Sequence, residues 1–479
     1  MNSIGLEKQD LIFQRHDFLK HYQIISELGE GGFGSVKKCQ NIQTGKYFAV
    51  KIIPKHRIAN IKFFLEEINI LSRADHQNIL KLFEWYEDKA KFYIVTELYT
   101  GGELYDKLSS KGTFSEKDAV DIVIQIIQAV NYLHSIKIVH RDIKPENLVY
   151  ASQNENVIKL IDFGTSKYYK NEGKDSIFTT LKGSSYYMSP EMFEKHYTNK
   201  CDIWSIGVVT YMLLSGYPPF NGISDQEIYK AIKQASYNFS SPEWNIISDK
   251  GKQFISRIFV KEEMRPSAEE LLGDPWLTKT NINHAIIPLN RLVMFNNSQY
   301  LKRLILHTIA YQAAAKEIEP LIKIFNDLDI NKDGKLSKKE FVKGFDKNLA
   351  INIIYKIFGE IDQDHDGFIE FNDFLASTID EKMTGNKEKI KEAFYHFDLN
   401  NSGKIEVKKL EEILKNTCKD NPNKFEKLKI LISIADVNKD GFIDFLEFSN
   451  IINQQIIPQN KIIKIKLASP KKSFSQVLN

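Results

Sequence analysis

The stretch His140-Arg141-Asp142-Ile143-Lys144-Pro145-Glu146-Asn147 decides how this chain is read. It follows an apolar run of helical spacing, Ile122 to Leu133, and an extended pair, Ile138-Val139. A second block, Asp162-Phe163-Gly164, comes after it and is entered through Ile158, Leu160 and Ile161. Three carboxylates, an amide and a lysine thus stand where apolar runs end, which is where a scaffold presents chemistry. A surface loop with scattered charges does not account for this order of residues together with the Asp-Phe-Gly block.

The bulk composition sets the frame. A chain of 479 residues is long for one domain and implies two or three. With 42% hydrophobic and 27% charged residues it has the make-up of a globular protein with ample core. A net charge of +3 leaves no electrostatic footprint for nucleic acid at the level of the whole chain. Cys39, Cys201 and Cys418 lie far apart, fitting reduced thiols and neither a zinc site nor a disulfide framework. No apolar run approaches the ~18 residues that a membrane span needs. The start, Met1-Asn2-Ser3, has no secretory pattern, Asn2 rules out N-myristoylation, and no prenylation cysteine ends the chain. The expectation is a soluble enzyme of the cytoplasm, with the nucleus also open to it.

The two blocks resemble the catalytic loop and metal-binding turn of eukaryotic protein kinases. That resemblance implies transfer of the ATP γ-phosphate. Asp142 would orient and deprotonate a hydroxyl, Lys144 would donate to the γ-phosphate, and Asn147 and Asp162 would hold Mg²⁺. Upstream, Leu28-Gly29-Glu30-Gly31-Gly32-Phe33-Gly34-Ser35-Val36 matches a glycine-rich phosphate loop. A dinucleotide site would need a helix after it, whereas Val36–Cys39 and Tyr47–Ile53 read as strands, which favours a kinase-type flap. Lys51, in Ala49-Val50-Lys51, is the candidate clamp on the α- and β-phosphates. Its partner is Glu67, chosen over Glu66 by the spacing to Leu71 in an amphipathic stretch.

Phe92 to Val95 reads as a strand ending at Thr96, a medium-sized gatekeeper, and leads into Glu97-Leu98-Tyr99. The resemblance makes this the hinge, with adenine bonded to backbone atoms of Glu97 and Tyr99. Leu28, Gly29, Gly31, Gly34, Val36, Ala49 and Val149 would complete the nucleotide pocket. Glu103 would meet ribose and a basic substrate side chain, and would also suit the start of a helix.

Further on, Ser189-Pro190-Glu191 carries Ser where the family has Ala, and Glu191 should pair with Arg265. Asp202, in Asp202-Ile203-Trp204-Ser205-Ile206-Gly207, should support the catalytic loop, and Asp274-Pro275-Trp276 marks the last helix of the lobe. Lys144 and Ser184, the latter after Gly183, are features of serine/threonine kinases. Glu103 and Glu146 suggest an arginine N-terminal to the acceptor, while Lys230 should make a second arginine beside it poorly rewarded. Thr180 is either a phosphorylation position facing Arg141 or an ordinary loop threonine.

Composition shifts after Trp276. Leu301, Leu304, Ile305 and Ile309 recur at helical spacing with Lys302, Arg303 and His307 off that stripe, a basic amphipathic pattern suited to a calmodulin-like groove. Four loops follow with the calcium pattern of oxygen ligands at positions one, three, five, seven, nine and twelve and glycine at six. The first has Asp329, Asn331, Asp333, Lys335 (through its carbonyl) and Glu340, and is complete. The second has Asp362, Asp364, Asp366, Phe368 (carbonyl) and Glu370, but closes on Asp373, a methylene short of bidentate reach. The third, from Asp398 through Asn400, Ser402, Gly403 and Glu406, ends on Lys409 and should not bind Ca²⁺. The fourth has Asp436, Asn438, Asp440, Phe442 (carbonyl) and Glu447, and is complete. Leu336, Ile369, Ile405 and Ile443 at position eight should pair loop one with two and three with four.

Kinase, basic junction and four EF-hands in this order resemble the calcium-dependent protein kinases of plants and protists. The implied fold is multi-domain α+β: a two-lobed kinase followed by an all-α calmodulin-like domain. The expected units are an N-terminal tail (1–21), kinase (22–277), autoinhibitory junction (278–318), calmodulin-like domain (319–453) and basic C-terminal tail (454–479). The implied partners are protein substrates with basic residues N-terminal to Ser/Thr, and the junction as a ligand of the EF-hands. ATP, Mg²⁺ and Ca²⁺ are the implied cofactors. A catalytically silent, calcium-gated scaffold is the alternative reading.

Overall fold

The computed structural model describes residues 14–15, 17–31, 34–58, 60–153, 156–169, 177–180, 185–222, 224–277, 292, 300–313, 315–345, 351–362, 366–379, 381–417 and 422–453. Gly32, Phe33, Gly183, Ser184, Asp364, Cys418, residues 278–299 apart from Leu292, and the basic segment 454–479 lie outside the described residues.

The first lobe is a six-stranded sheet in the order β1-β5-β6-β4-β3-β2. Its strands are β1 (Gln14–Arg15), β2 (Tyr22–Gly31), β3 (Gly34–Asn41), β4 (Tyr47–Pro54), β5 (Leu82–Glu87) and β6 (Lys91–Thr96). β1 runs parallel to β5 and the other pairings are antiparallel. Helix α2 (Ile61–Arg73) lies beside this sheet, with Phe64, Ile68 and Leu71 buried on one face. Asn60 caps it by accepting from the Lys62 amide at 2.9 Å.

The segment before Tyr22, expected to be a tail, contributes structure to this lobe. Phe18, in α1 (Phe18–His21), is 3% exposed and stacks on Tyr93 and Tyr22 with ring centroids 4.6 and 5.3 Å away. Aromatic packing of this kind holds an element too short to show periodicity.

The second lobe is helical: α3 (Leu104–Lys111), α4 (Glu116–Ser135), α5 (Pro190–Phe193), α6 (Lys200–Ser215), α7 (Asp225–Lys233), α8 (Asp249–Ile258) and α9 (Ala268–Leu272). α6 is buried along nearly its whole length. Gly207 allows this, because a Cβ there would meet Ile258 Cγ2 at 2.6 Å. Two short ribbons frame the segments read first: β7 (Ile138–Val139) with β10 (Lys167–Tyr168), and β8 (Leu148–Tyr150) with β9 (Ile158–Leu160).

Four helix–loop–helix units follow a helix α10 (Tyr300–Gln312). In order they comprise α11 (Ala315–Leu328), β11 (Lys335–Ser337), α12 (Lys338–Lys343), α13 (Ile351–Ile361), β12 (Phe368–Glu370) and α14 (Phe371–Thr378). After the short α15 (Glu381–Thr384) come α16 (Lys387–Phe397), β13 (Ile405–Glu406), α17 (Val407–Thr417), α18 (Pro422–Ala435), β14 (Phe442–Ile443) and α19 (Phe445–Asn453). Leu336 pairs with Ile369 and Ile405 with Ile443, and the position-six glycines Gly334, Gly367, Gly403 and Gly441 all have φ between +78° and +90°.

Helix α10 packs against α14, α16, α18 and α19. Its predicted stripe is buried, but so are Leu306, His307, Thr308, Ala310 and Tyr311. His307, read as off that stripe, is 1% exposed. Helices from both EF-hand pairs surround α10, so a single-faced pattern understates its burial. The far end of α10 meets the kinase, where the Tyr311 hydroxyl donates to the Leu82 carbonyl. The Asp75 carboxylate accepts the Asn372 amide at 2.8 Å in the first turn of α14, and Asn131 donates to the Lys332 carbonyl at 3.0 Å.

Arg265 is 1% exposed, donates to the carbonyls of Lys200 (2.9 Å) and Val260 (3.1 Å), and meets Glu191 with both terminal nitrogens. Removing one partner of a buried, doubly bonded pair strands the other charge. Arg265→Ala is therefore expected to destabilise the catalytic lobe by about 3–5 kcal/mol, read as a lower midpoint in urea unfolding.

Candidate functional site

Strand β4 brings Lys51 to the floor of the cleft between the lobes, and α2 brings Glu67 to it. The Lys51 ammonium lies 3.1 Å from Glu67 Oε1 and 3.6 Å from Asp162 Oδ1. Burial works against that ammonium, but the two carboxylates overcome it and its pKa is pushed up to about 12. For Asp162, burial opposes ionisation most strongly, but Lys51, the Gly164 amide, His140 and Lys144 together outweigh it, so the carboxyl sits below its ordinary range. Glu67 and not Glu66 makes the pair.

On the other side of the cleft, Asp142 Oδ2 is 2.8 Å from the Lys144 ammonium and 3.0 Å from Asn147 Nδ2. Asn147 Nδ2 also donates to the Asp142 carbonyl at 2.8 Å. Behind them, the fully buried Asp202 carboxylate accepts the amides of His140 (2.9 Å) and Arg141 (2.8 Å) and lies 3.0 Å from His134 Nε2. Burial opposes its charge, and these donors, His134 first, hold it ionised below the usual range. Arg141 and Asp162 both have left-handed backbones, φ 69° and 60°. Non-glycine residues take that conformation where surrounding bonds over-determine it. Phe163 is buried against the edge of His140, centroids 5.0 Å apart.

The glycine-rich segment forms the β2–β3 hairpin, with Gly29 opposite Val36 and Gly31 opposite Gly34. Gly34 answers to a second demand that the phosphate reading did not include: a Cβ there would lie 2.1 Å from the Ile52 carbonyl oxygen. Leu28 is half-exposed at the rim, while Ala49 and Val149 are buried. Thr96 ends β6, buried. The Glu97 amide donates to Lys81 O at 3.0 Å, and the Tyr99 hydroxyl accepts from Lys81 N at 3.2 Å. Tyr99 thus turns its ring away from the cleft, and among the described residues its own amide and carbonyl have no partner, which fits a ligand edge with its own donor and acceptor.

At the cleft mouth, burial raises the pKa of Glu103, with Asp106 and Glu146 adding to it. Glu146 Oε2 is buried and, among the described residues, has no hydrogen-bond partner. Such a cluster suits a cationic side chain. Arg141 Nη1 lies 3.3 Å from the Thr180 hydroxyl, bringing together the pair named from sequence.

The EF-hand loops differ from one another. In the first, Asp329 accepts the amides of Asp333 (3.2 Å) and Gly334 (3.0 Å), and Glu340 folds in to accept Ile330 N at 3.0 Å. Burial and the neighbouring Asp333 carboxylate push Asp329 up to about 7, a crowding that a divalent cation relieves. The fourth loop repeats the geometry: Asp436 accepts Asp440 N and Gly441 N, and Glu447 accepts Val437 N at 3.0 Å. The Asn331 and Asn438 side chains accept amides within their own loops.

In the second loop, Asp362 accepts Gly367 N and Asp366 accepts Phe368 N. Asp373 lies 3.6 Å from His307 Nδ1 of α10, and Lys335 from the first loop reaches Asp366 (3.5 Å) and Glu370 (3.0 Å). In the third, the Lys409 ammonium donates to Asn400 Oδ1 at 2.9 Å. The contact between Asp373 and α10 was not foreseen, because only the helix's packing reveals which residue of it faces that loop.

Comparison with known proteins finds matches to both parts of the chain. Residues 22–277 match the protein kinase domain family, and residues 318–379 and 387–452 match the EF-hand domain pair. Calcium-dependent protein kinase 4 of Plasmodium berghei is 34% identical over 471 residues, covering 91% of this chain and 87% of that protein. Calcium-dependent protein kinase 5 of Plasmodium falciparum is 37% identical (92% and 79% covered), and calcium-dependent protein kinase 22 of Arabidopsis thaliana 35% identical (96% of each). Among the described residues no helix is long and apolar enough to cross a membrane.

Among the described residues Asp202 bonds to none of those expected to meet ATP, yet it holds the backbone that carries Asp142. Small misplacements of a reacting group cost about 10²-fold. Asp202→Asn is expected to lower kcat by about that factor while the KM for ATP changes less than threefold, measured by steady-state peptide phosphorylation.

Proposed function

The chain belongs to the calcium-dependent protein kinase family and is a calcium-dependent serine/threonine kinase; from that premise we propose how its own residues divide the work. Asp142 receives the acceptor hydroxyl's proton, with Lys144 beside it neutralising charge on the γ-phosphate. Lys51, steered by Glu67, holds the α- and β-phosphates, and adenine bonds to the Glu97 and Tyr99 backbone in a pocket of Leu28, Val36, Ala49 and Val149. Asn147 and Asp162 would hold Mg²⁺, which when bound neutralises triphosphate charge. The observation that carries this reading is the convergence of Lys51 with Glu67 and Asp162 opposite Asp142, Lys144 and Asn147.

The substrate is a protein Ser/Thr preceded by a basic residue that enters between Glu103 and Glu146. The unpartnered Glu146 oxygen supports this, since a buried acceptor gains most from a guanidinium. Lys230 is exposed and cationic, which disfavours a second arginine next to the acceptor.

Calcium ligands are Asp329, Asn331, Asp333, Lys335 O and Glu340 in the first loop, and Asp436, Asn438, Asp440, Phe442 O and Glu447 in the fourth. The second loop, with Asp362, Asp364, Asp366, Phe368 O and Asp373, is weaker, and the third does not bind. Residues 278–318 restrain the kinase at low calcium, and α10 is the segment that the filled EF-hands hold; its packing among four of their helices supports this.

Asp142→Asn is expected to lower peptide phosphorylation by about 10²–10⁴-fold, whereas a silent scaffold would show no activity to lose. A chain ending at Leu277 is expected to phosphorylate peptide equally with and without calcium, in contrast to the full chain. Equal calcium dependence in both would overturn the regulatory scheme. Glu340→Gln and Glu447→Gln are each expected to remove one bound calcium per chain in titration calorimetry.

A further inference from the structure

The third EF-hand is the one whose loop lacks a closing carboxylate, and it is set against the sheet of the kinase. Two independent sets of contacts describe it. Within the loop, the Lys409 ammonium lies 2.9 Å from Asn400 Oδ1 and 3.7 Å from Glu406 Oε2. These side chains stand at positions three and nine, two of the places from which a calcium loop draws its ligands. The lysine at position twelve therefore reaches back into its own loop and ties two of those positions together as a fixed positive charge.

Outside the loop, the hand's incoming helix α16 meets the turn between β3 and β4. Lys46 lies 2.5 Å from Glu392, with Glu392 only 13% exposed. Lys389, one helical turn earlier, lies 3.9 Å from Glu392 and 2.6 Å from Glu317 of α11. Ammonium and carboxylate groups thus alternate from the kinase through α16 to α11. Asn401, the next residue after Asn400 in the loop, donates to the Lys20 carbonyl of α1 at 3.3 Å. The folded N-terminal segment and the β3–β4 turn together make the platform on which the hand sits.

We propose that the third EF-hand is a docking element and not a sensor: Lys409 holds its loop in place of calcium, and Glu392 fastens it to the kinase sheet through Lys46. The proposal rests on the kinase reading above and deepens its regulation. A loop that carries its own cation keeps its shape whatever the calcium level, so its outward face is always ready to dock. The contact bears on the sheet whose strand β4 carries Lys51, so the engaged hand stabilises the lobe that aligns the ATP clamp.

The test uses the full chain. Lys46→Glu and Glu392→Lys are each expected to raise hydrogen–deuterium exchange at residues 41–46 and to lower the calcium-stimulated rate about fivefold, while the double exchange restores both to within about twofold. Single variants that match the wild type, or a double variant no better than the singles, would overturn the docking. Lys409→Glu is expected to add one bound calcium per chain in titration calorimetry, and Lys409→Met to raise exchange across residues 398–406 without adding one. An unchanged stoichiometry in Lys409→Glu with an unchanged exchange pattern in Lys409→Met would overturn the built-in cation. A wild type lacking any calcium response would instead refute the kinase-regulation reading, and the exchange measurements would still decide the docking.

Discussion

A single carboxylate with no exposure at all, that of Asp202, stands under the catalytic loop. Buried charge is costly unless its lone pairs are met, and here two backbone amides and an imidazole meet them. The amides belong to His140 and Arg141, so satisfying the charge fixes the backbone one residue before Asp142. The left-handed turn at Arg141 is affordable because these bonds leave the chain no other path. From that fixed point the order spreads outward: Asn147 bonds back to Asp142, Phe163 packs on His140, and Asp162 turns towards Lys51. The cleft is thus organised from beneath, by a group that need not touch substrate.

The same arrangement explains what could be read from the chain alone. Polar residues in fixed order at the ends of apolar runs announced the catalytic loop, the Asp-Phe-Gly turn and the four EF-hand loops. Glycine at position six and an apolar residue at position eight are local demands, and they were visible in each hand. What sequence did not carry were relations between distant segments. The α1 segment shows no periodicity, and only stacking on Tyr22 and Tyr93 makes it part of the sheet. His307 stood off the apolar stripe of its helix, yet helices on several sides bury it. Gly34 fitted a phosphate loop, while its neighbour across the sheet, Ile52, imposes glycine there by itself.

The hands also divide by the company their charges keep. In the first and fourth loops the closing glutamate folds inward onto amides of its own loop; in the first this leaves Asp329 crowded by Asp333, while in the fourth Asp440 lies 3.0 Å from Lys404 of the third loop. In the second, the closing aspartate is near His307 of α10 while a lysine of the first loop reaches two of its ligand positions. In the third, the loop's own lysine does so. In the third the ammonium occupies position twelve itself, where a calcium loop has its closing carboxylate, so an arriving ion would meet a charge of its own sign there. The hands thus differ in side-chain charge, on a backbone that is nearly the same in all four.

That division matters for how a signal reaches Asp142. Helix α10 touches both EF-hand pairs along its length and the Leu82 carbonyl at its end, where Tyr311 bonds to β5. Leu82 pairs with Thr96 across the β5–β6 ladder, one residue before the hinge. Asp75, two residues after α2, receives the first turn of α14, and α2 carries Glu67. The EF-hand region therefore grips the kinase at the two elements whose placement sets the adenine hinge and the Lys51–Glu67 pair. Under the regulatory scheme proposed above, a change in how the hands hold α10 has a short path to both, through backbone bonds and packed helices.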